Sequence, residues 1–347
     1  MKNKTLQICN EIIHPGENLS LALPLPEFFS CAPMYMPIKV IHGKHAGPCL
    51  LVTAAMHGNE LNGTEIINRL LKLKSLKHLR GTLIAVPVLN VYGLVNRSRY
   101  LPGGMELDRC FPGSKNGTHA ARMAHIFVTE IFSKADMCID LQTGFMNYTN
   151  LPQIYVNFES EKEKELASAF NAPVISNMDC EKGMLRTYAK KEGKPFLVYE
   201  AGEAMRFNEN AIKAGVNGVL NIIRKIDMLP ERSLKKENSL KSFFAEKNIW
   251  VRSPTSGISR TKCNLGKAVK KGEILCSIQD PFGATDSVNV KSPADAIIVG
   301  KNNLPLTHEG EGLFQLAVFD KMVKAASQFE NWHEKSAAWL SHSDDES

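Results

Sequence analysis

The chain alternates short apolar runs with amphipathic helical segments, and this alternation limits its fold more than any other feature. Residues 37–56 and 81–90 contain β-branched apolar runs of strand length, and residues 62–77 between them space their apolar side chains as a helix does. A strand, a helix and a strand at this spacing predict a crossover unit of a parallel sheet. The alternation continues in four later segments: 118–134, 136–141, 195–200 and 208–226. The predicted fold class is α/β, with a mixed, mostly parallel sheet flanked by helices on both faces.

The pattern changes in the last third of the chain. Residues 230–247 are polar, charged and led by proline, which is typical of a linker, and short runs punctuated by glycine and proline follow them. We therefore expect an α/β domain with an N-terminal strand segment over 1–229, a linker over 230–247 and a small all-β module over 248–319. Residues 320–347 are expected to hold a C-terminal helix and a polar tail.

Charge and apolar run length argue against several classes of protein. The 347 residues carry a formal charge of only +6, without a block dense in lysine and arginine, so a nucleic-acid binder is not expected. The longest apolar runs fall far short of the roughly 20 residues that a membrane helix needs, so no membrane association is expected. The eight cysteines form no CxxC pair, and the N-terminus lacks the apolar core of a signal peptide, so we expect a cytoplasmic protein with reduced thiols.

His57 and Glu60 follow the apolar run at 50–56 directly. An imidazole and a carboxylate three residues apart at a strand-to-helix turn can both face one ion, and this pairing is common for zinc. Open α/β sheets place their ligands at the same ends of the strands. The alternative is an exposed turn in which Glu60 caps the following helix.

Three further segments place polar side chains after apolar strands. Arg99 and Arg109 lie in a loop rich in glycine and proline at 96–113, and arginine can grip a carboxylate at two points. Asp140 begins a DLQTG segment at the end of another strand, and Glu200 closes a fourth. Glu200 is a candidate general base, although a helix-capping acid would have the same position. Each arginine alone could equally be a solvated surface charge.

Taken together, these segments resemble the zinc-dependent succinylglutamate desuccinylase/aspartoacylase family, which is related to the metallocarboxypeptidases. The resemblance rests on HGNELNGTEI, NRSRYLPGG with LDRCFPG, DLQTG and LVYEAGE in this order. It implies a zinc hydrolase domain that cleaves the amide bond of N-acyl amino acids. It also implies that His57 and Glu60 bind zinc, Arg99 polarises the scissile carbonyl, Arg109 clamps the substrate carboxylate and Glu200 activates water. The C-terminal module resembles the lipoyl-like β-barrel appended to many members.

The chain departs from the family pattern at two positions. The family has histidine as the third zinc ligand where this chain has Gln142, and an amide oxygen is a much weaker zinc donor than imidazole. Either Gln142 completes a weaker site, another group replaces it, or no metal is held. Asp108 stands where the family has asparagine, beside Arg109. Its carboxylate would partly neutralise the arginine and disfavour a strongly anionic substrate, or attract a second metal contact or an amino group.

The expected function is a zinc-dependent hydrolase of an N-acyl amino acid or a short acidic peptide. One loosely held zinc per chain is expected on His57, Glu60 and Gln142, with Glu200 as base and with Arg109 and Asp108 facing the substrate. The main alternative is a metal-poor binding or regulatory protein that kept the cleft, and a third is a structural role centred on the β-module. The expected partner is a small molecule or a short peptide, and the sequence leaves a homo-oligomer open.

Overall fold

A computed structural model describes residues 1–27, 33–178, 180–231 and 242–320, together with Met322 and Ala325. The helices are α1 (Asn62–Leu70), α2 (Val91–Val95), α3 (His119–Glu130), α4 (Glu161–Phe170), α5 (Leu185–Lys191) and α6 (Glu209–Lys225). The strands of the first 231 residues are β1 (Leu6–Ile8), β2 (Glu11–Ile13), β3 (Asn18–Pro24), β4 (Tyr35–His42), β5 (Cys49–Ala54), β6 (Thr82–Val86), β7 (Met137–Gly144), β8 (Tyr148–Val156), β9 (Val174–Asn177) and β10 (Phe196–Glu203). The later strands are β11 (Phe243–Phe244), β12 (Lys247–Arg252), β13 (Gly257–Thr261), β14 (Ala268–Val269), β15 (Ile274–Gln279), β16 (Val288–Lys291), β17 (Ala296–Asn302), β18 (Leu306–Thr307) and β19 (Gly312–Val318).

One large mixed sheet organises the molecule. Its main path runs β12-β19-β17-β8-β10-β7-β5-β6-β4-β3. The neighbours β6, β5, β7 and β10 are parallel, whereas β3, β4 and β8 join this centre in antiparallel fashion. The predicted mixed α/β fold is thus confirmed, and the four parallel strands lie at the centre of the sheet.

The central strands are apolar because helices cover the sheet on both faces. In β5 every residue after Cys49 is buried, as expected of a parallel strand with two covered faces. On one face α1, α4 and α6 pack their apolar stripes, represented by Ile66, Phe170 and Ile222, against the sheet. On the other face α3 and α5 do the same, together with the hairpin of β1 and β2.

Several predicted segments differ in length from the observed elements. The helix expected over 62–77 ends at Leu70, because the backbone becomes extended at Leu73 and continues as a 3-10 turn over Lys74–His78. The third and fourth predicted strands run three residues further than expected, through Gly144 and Glu203. Gln142 and Glu200 therefore lie within strands, where sheet hydrogen bonds fix their backbones.

The C-terminal residues form strands that share the central sheet. β17 pairs with β8 through Gly300, Lys301 and Asn302, and β11 pairs with β9. A second sheet, in the order β16-β15-β13-β18, encloses a separate apolar core with β12, β17 and β19. Of the expected linker, residues 232–241 lie outside the described residues, and Phe243–Phe244 already belong to a strand. The expected C-terminal helix falls on residues that are not described, apart from Met322 and Ala325.

Within the described ranges, no helix has both the length and the hydropathy needed to cross a bilayer. The cysteines of the same ranges are all free thiols, seven in number.

Candidate functional site

The candidate site lies at the carboxyl ends of three neighbouring strands. His57 follows β5, Gln142 lies in β7, and Glu200 lies in β10. In the register of the sheet Glu200 is the direct partner of Gln142, and Ala54 at the end of β5 is the partner of Leu141. The sheet therefore brings together three segments that are far apart in the sequence.

A tight turn positions His57. Ala55 adopts a left-handed backbone conformation with φ of 50°, which is uncommon for residues other than glycine. Gly58 packs directly against the backbone of α2, where an added Cβ would lie 2.0 Å from the carbonyl carbon of Gly93. Only glycine allows this approach, so the HGNE segment requires glycine after its histidine for reasons of packing.

The Glu60 carboxylate links three parts of the site. Its Oε1 lies 2.8 Å from Nδ1 of His57 and accepts a hydrogen bond from Nη1 of Arg99 at 3.2 Å. Its Oε2 accepts from the backbone N–H of Thr143 at 2.9 Å. The helix that follows has no side-chain cap at its N-terminus, so the interpretation of Glu60 as a helix cap is wrong.

His57 and Glu60 form a close, buried pair of two donor types that zinc accepts. Both residues are buried, Glu60 Oε1 is the partner of His57 Nδ1, and within the described ranges Nε2 of His57 has no hydrogen-bond partner. Burial by itself lowers the pKa of His57, but the Glu60 carboxylate outweighs this effect and raises that pKa above its usual value. A buried imidazole whose Nε2 has no partner, beside a carboxylate, fits a cation bound by these side chains.

The predicted third metal ligand, Gln142, is a weaker donor than the first two. Among the described residues, no group of three histidine, cysteine, aspartate or glutamate side chains could hold a metal. Gln142 Nε2 donates to Asp140 Oδ2 at 2.6 Å, and Asp140 Oδ1 accepts from the Thr53 hydroxyl at 2.6 Å. Because the amide nitrogen is bound to Asp140, its carbonyl oxygen is the atom left for another partner. The residues fit zinc if this amide oxygen is the third protein donor.

Glu200 has a strongly raised pKa. Burial, with a further contribution from the nearby Glu60 charge, raises the pKa of Glu200 to about 7, and Arg186 and Arg99 oppose this shift. Its Oε1 accepts a hydrogen bond from the side chain of Asn150. Glu200 does not cap the next helix, because the Asn208 side chain accepts from the Ala211 N–H there.

The two predicted arginines differ in position. Arg99 is mostly buried, donates to Glu60 and to Glu106 at 3.0 Å, and stacks on the Phe145 ring 4.8 Å from its centroid. Arg109 is 55% exposed, and its guanidinium is bound by Glu181 at 2.8 Å and Glu106 at 3.3 Å. Only Arg99 touches a predicted metal ligand.

The structure adds Arg186, which the sequence did not single out, to the site. Burial raises the pKa of Asp108, whereas the charges of Arg186 and His57 lower it. The Arg186 charge also acts on Glu200, so this side chain lies near two of the predicted residues. It belongs to α5, where neighbouring lysines give the segment the pattern of a solvated helix, and no local signal separates it from them.

The chain is similar in sequence to known proteins. Residues 46–226 match the model of the succinylglutamate desuccinylase/aspartoacylase catalytic domain. The N-alpha-acetyl-L-2,4-diaminobutyric acid deacetylase of Halomonas elongata is 24% identical over 255 residues, which cover 71% of this chain and 74% of that protein.

Solved structures have the same fold. A succinylglutamate desuccinylase/aspartoacylase from Rhodobacter sphaeroides matches with a TM-score of 0.79 and 20% identity, covering 87% of this chain and 95% of that one. The product-bound ectoine utilization protein EutE (DoeB) from Ruegeria pomeroyi matches with a TM-score of 0.78 and 23% identity, over the same shares of the two chains. With its catalytic-domain match spanning more than half of the sequence, the chain belongs to the succinylglutamate desuccinylase/aspartoacylase family.

Proposed function

We propose that the protein is a zinc-dependent hydrolase that cleaves the amide bond of an N-acyl amino acid or a short acidic peptide. The observation that carries the proposal is the convergence of His57 and Glu60, with their atoms 2.8 Å apart, beside Arg99 and at the same sheet end as Glu200. Family membership and the deacetylase relative support the class of reaction.

His57, Glu60 and Gln142 are the residues that would hold the metal. When bound, zinc supplies a Lewis acid that lowers the pKa of a coordinated water. Because an amide oxygen is a weaker donor than imidazole, we expect this chain to hold zinc more loosely than a relative with histidine at the third position.

Proton transfer is assigned to Glu200. A carboxyl with a pKa of about 7 is ionised in about half of the molecules at neutral pH, so it can accept a proton from the attacking water. The same group then returns the proton to the leaving amine. The Asn150 side chain, which donates to Glu200, keeps the carboxylate in one orientation.

Arg99 is assigned to the developing oxyanion. Its guanidinium is held by Glu60, Glu106 and the Phe145 ring, so it is oriented before the substrate arrives. The substrate carboxylate is assigned to Arg109, which must first leave Glu181, and Arg186 supplies further positive charge next to Asp108. Asp108 is assigned to the substrate side of the site.

The test combines metal content with turnover. Purified protein is analysed for bound zinc at neutral pH, with and without one equivalent of added zinc, and amine release from N-acetyl amino acids is followed. We expect zinc-dependent turnover that the isosteric variant Glu200→Gln abolishes while its zinc content is unchanged. Turnover by Glu200→Gln equal to the parent would contradict the assignment of the base.

A metal-poor binding protein is the second candidate, because no group of three strong ligands occurs among the described residues. A protein of this kind would take up no zinc and would bind N-acyl amino acids without releasing amine. The zinc measurement above therefore separates the two candidates.

We also propose that the C-terminal strands form a lipoyl-like barrel with a structural role, and that the domains follow the boundaries expected from the sequence, except that the linker ends before β11 begins at Phe243. The free cysteines support a reducing compartment such as the cytoplasm. The proposed partner is a small molecule or short peptide, with neither nucleic acid nor membrane involved.

A further inference from the structure

Two adjoining cavities open beside the candidate site. The first has a volume of about 390 Å³ and is lined by Glu60 and Arg99 among others. The second has a volume of about 320 Å³ and is lined by residues of the C-terminal strands, including Trp250 and Leu304. Phe145 and Met146 line both cavities, so the second cavity continues the first.

Large apolar side chains are exposed along the two cavities. Phe145 and Met146 are each 52% exposed, and Trp250 and Leu304 are each 41% exposed. The rings of Tyr148 and Trp250 lie 5.3 Å apart between their centroids, and those of Phe145 and Tyr148 lie 6.4 Å apart. A cluster of large exposed apolar side chains at a cavity indicates a surface that is covered by an apolar ligand.

The polar lining of the second cavity is engaged within the protein. Asn302 donates to Glu311 at 3.2 Å, and Glu311 also accepts from the backbone N–H of His308 at 2.9 Å. Arg252 donates to the carbonyl of Gly310 at 2.9 Å. Apart from the remaining N–H groups of the exposed Arg252, the aromatic and aliphatic surfaces are the main groups left to meet a ligand, which favours an apolar group.

The positions of the arginines indicate which end of the substrate lies in the second cavity. Arg109, assigned to the substrate carboxylate, lines neither cavity, and nor does Arg186. Arg99, assigned to the scissile carbonyl, lines the first. We infer that the second cavity is a subsite for an extended apolar acyl group, so that the substrate class is N-acyl amino acids with an acyl chain of about six carbons or with an aromatic acyl group. A cavity of this size lies at the lower end of the range for small-molecule sites. This inference rests on the proposed function for the orientation of the substrate.

Binding tests the subsite independently of turnover. Calorimetric titrations of full-length zinc-loaded Glu200→Gln, which is expected not to consume the ligand, compare N-hexanoyl- with N-acetyl-L-2,4-diaminobutyrate. The hexanoyl compound adds four carbons, and we expect it to bind at least about tenfold more tightly. Equal affinities for the two compounds would overturn the inference.

Two variants locate the effect. In the Glu200→Gln background, Trp250→Ala removes the largest apolar side chain of the cavity, and Leu304→Glu places a charge there on a side chain that is already exposed. Both are expected to bring the affinity for the hexanoyl compound down to that for the acetyl compound, without changing the latter. Phe244→Ala, equally exposed but on β11 outside the cavity, is the matched control and should preserve the tenfold difference.

Turnover by the parent chain separates this inference from the proposed function. If the acetyl compound is hydrolysed and the two compounds bind equally well, the result would support the proposed function and contradict the subsite. A tenfold preference in binding, with no hydrolysis of either compound, would support the subsite and contradict the hydrolase.

Discussion

The side-chain amide of Gln142 donates to the carboxylate of Asp140, two residues earlier on the same strand, at 2.6 Å. Both side chains lie on the same face of β7, because strand residues alternate between faces. Asp140 is buried and is held in turn by the Thr53 hydroxyl, so the amide has a fixed orientation. This contact determines which end of Gln142 is free for a ligand, and it leads to the first prediction.

Replacing Gln142 with histidine should strengthen zinc binding. Imidazole is the better zinc donor, and Asp140 could accept its second N–H as it now accepts the amide. We expect Gln142→His to lower the zinc dissociation constant by at least about tenfold, measured by competition with a chromogenic chelator. Gln142→Ala is the matched variant and should weaken binding. An unchanged affinity in both variants would rule out Gln142 as a ligand.

The pKa of Glu200 predicts how activity depends on pH. Without metal this pKa lies at about 7, and bound zinc would lower it, so the base form is lost at or below that pH and kcat/KM should fall about tenfold per pH unit on the acidic side. The measurement is a pH profile between 5 and 9 with a neutral N-acyl amide as substrate. A flat profile over this range would exclude Glu200 as the titrating base.

The same shift predicts a dependence of stability on pH. The pKa of Glu200 is raised above its ordinary value of 4.5. The contribution of this group to the free energy of unfolding is therefore fully present below pH 4.5 and is lost as the pH rises through about 7. Glu200→Gln does not titrate, so its melting temperature relative to the parent should be higher at pH 8 than at pH 5. Both proteins are measured by thermal denaturation with a chelator present, which removes the contribution of bound metal. A difference independent of pH would contradict the raised pKa.

The exposed pair of Glu181 and Arg109 should compete with the substrate. The Glu181 carboxylate occupies Arg109 at 2.8 Å, as a substrate carboxylate would. We expect Glu181→Gln to lower KM about two- to fivefold at low ionic strength with little change in kcat, because an exposed ion pair is worth little free energy. The effect should vanish in an Arg109→Ala background. A lower KM that persists without Arg109 would show that Glu181 acts elsewhere.

Glu203 is expected to stabilise the loop that leads into the second cavity. This buried carboxylate accepts hydrogen bonds from the backbone of Asn147 at 3.1 Å, from the Thr149 hydroxyl at 2.9 Å and from Asn303 at 3.0 Å. Glu203→Ala should lower the free energy of unfolding by about 1–3 kcal/mol, measured by denaturant titration, because it leaves these donors unpaired. Glu159→Ala, which removes an exposed acid, is the control and should change it by less than about 0.5 kcal/mol.

The sequence was sufficient for the central strands and for the strand ends that carry the site. The run at 48–56 is apolar except for Thr53 because β5 is covered on both faces, and such runs predict parallel central strands directly. His57, Gln142 and Glu200 follow from this, since parallel strands bring their carboxyl ends to one edge of a sheet.

Other features depend on contacts that no local pattern reveals. Arg186 lies near Asp108 and Glu200 only because α5 packs against the sheet, and its sequence resembles that of any solvated helix. The exposure of Arg109 depends on Glu181, 72 residues later, so the spacing of the arginines did not predict it. The end of α1 at Leu70 depends on the backbone at Leu73, whereas the apolar spacing continues beyond it.

The pairing of β17 with β8 has a consequence for how this chain could be shortened. Gly300, Lys301 and Asn302 satisfy the backbone of Tyr148, Thr149 and Asn150, next to the segment of Phe145 and Met146. A chain cut after residue 231 would leave this stretch of β8 as a bare edge, open to pairing with other molecules. The C-terminal strands thus cover an edge of the central sheet that could otherwise pair with other chains. Their removal would favour aggregation over a stable shorter protein.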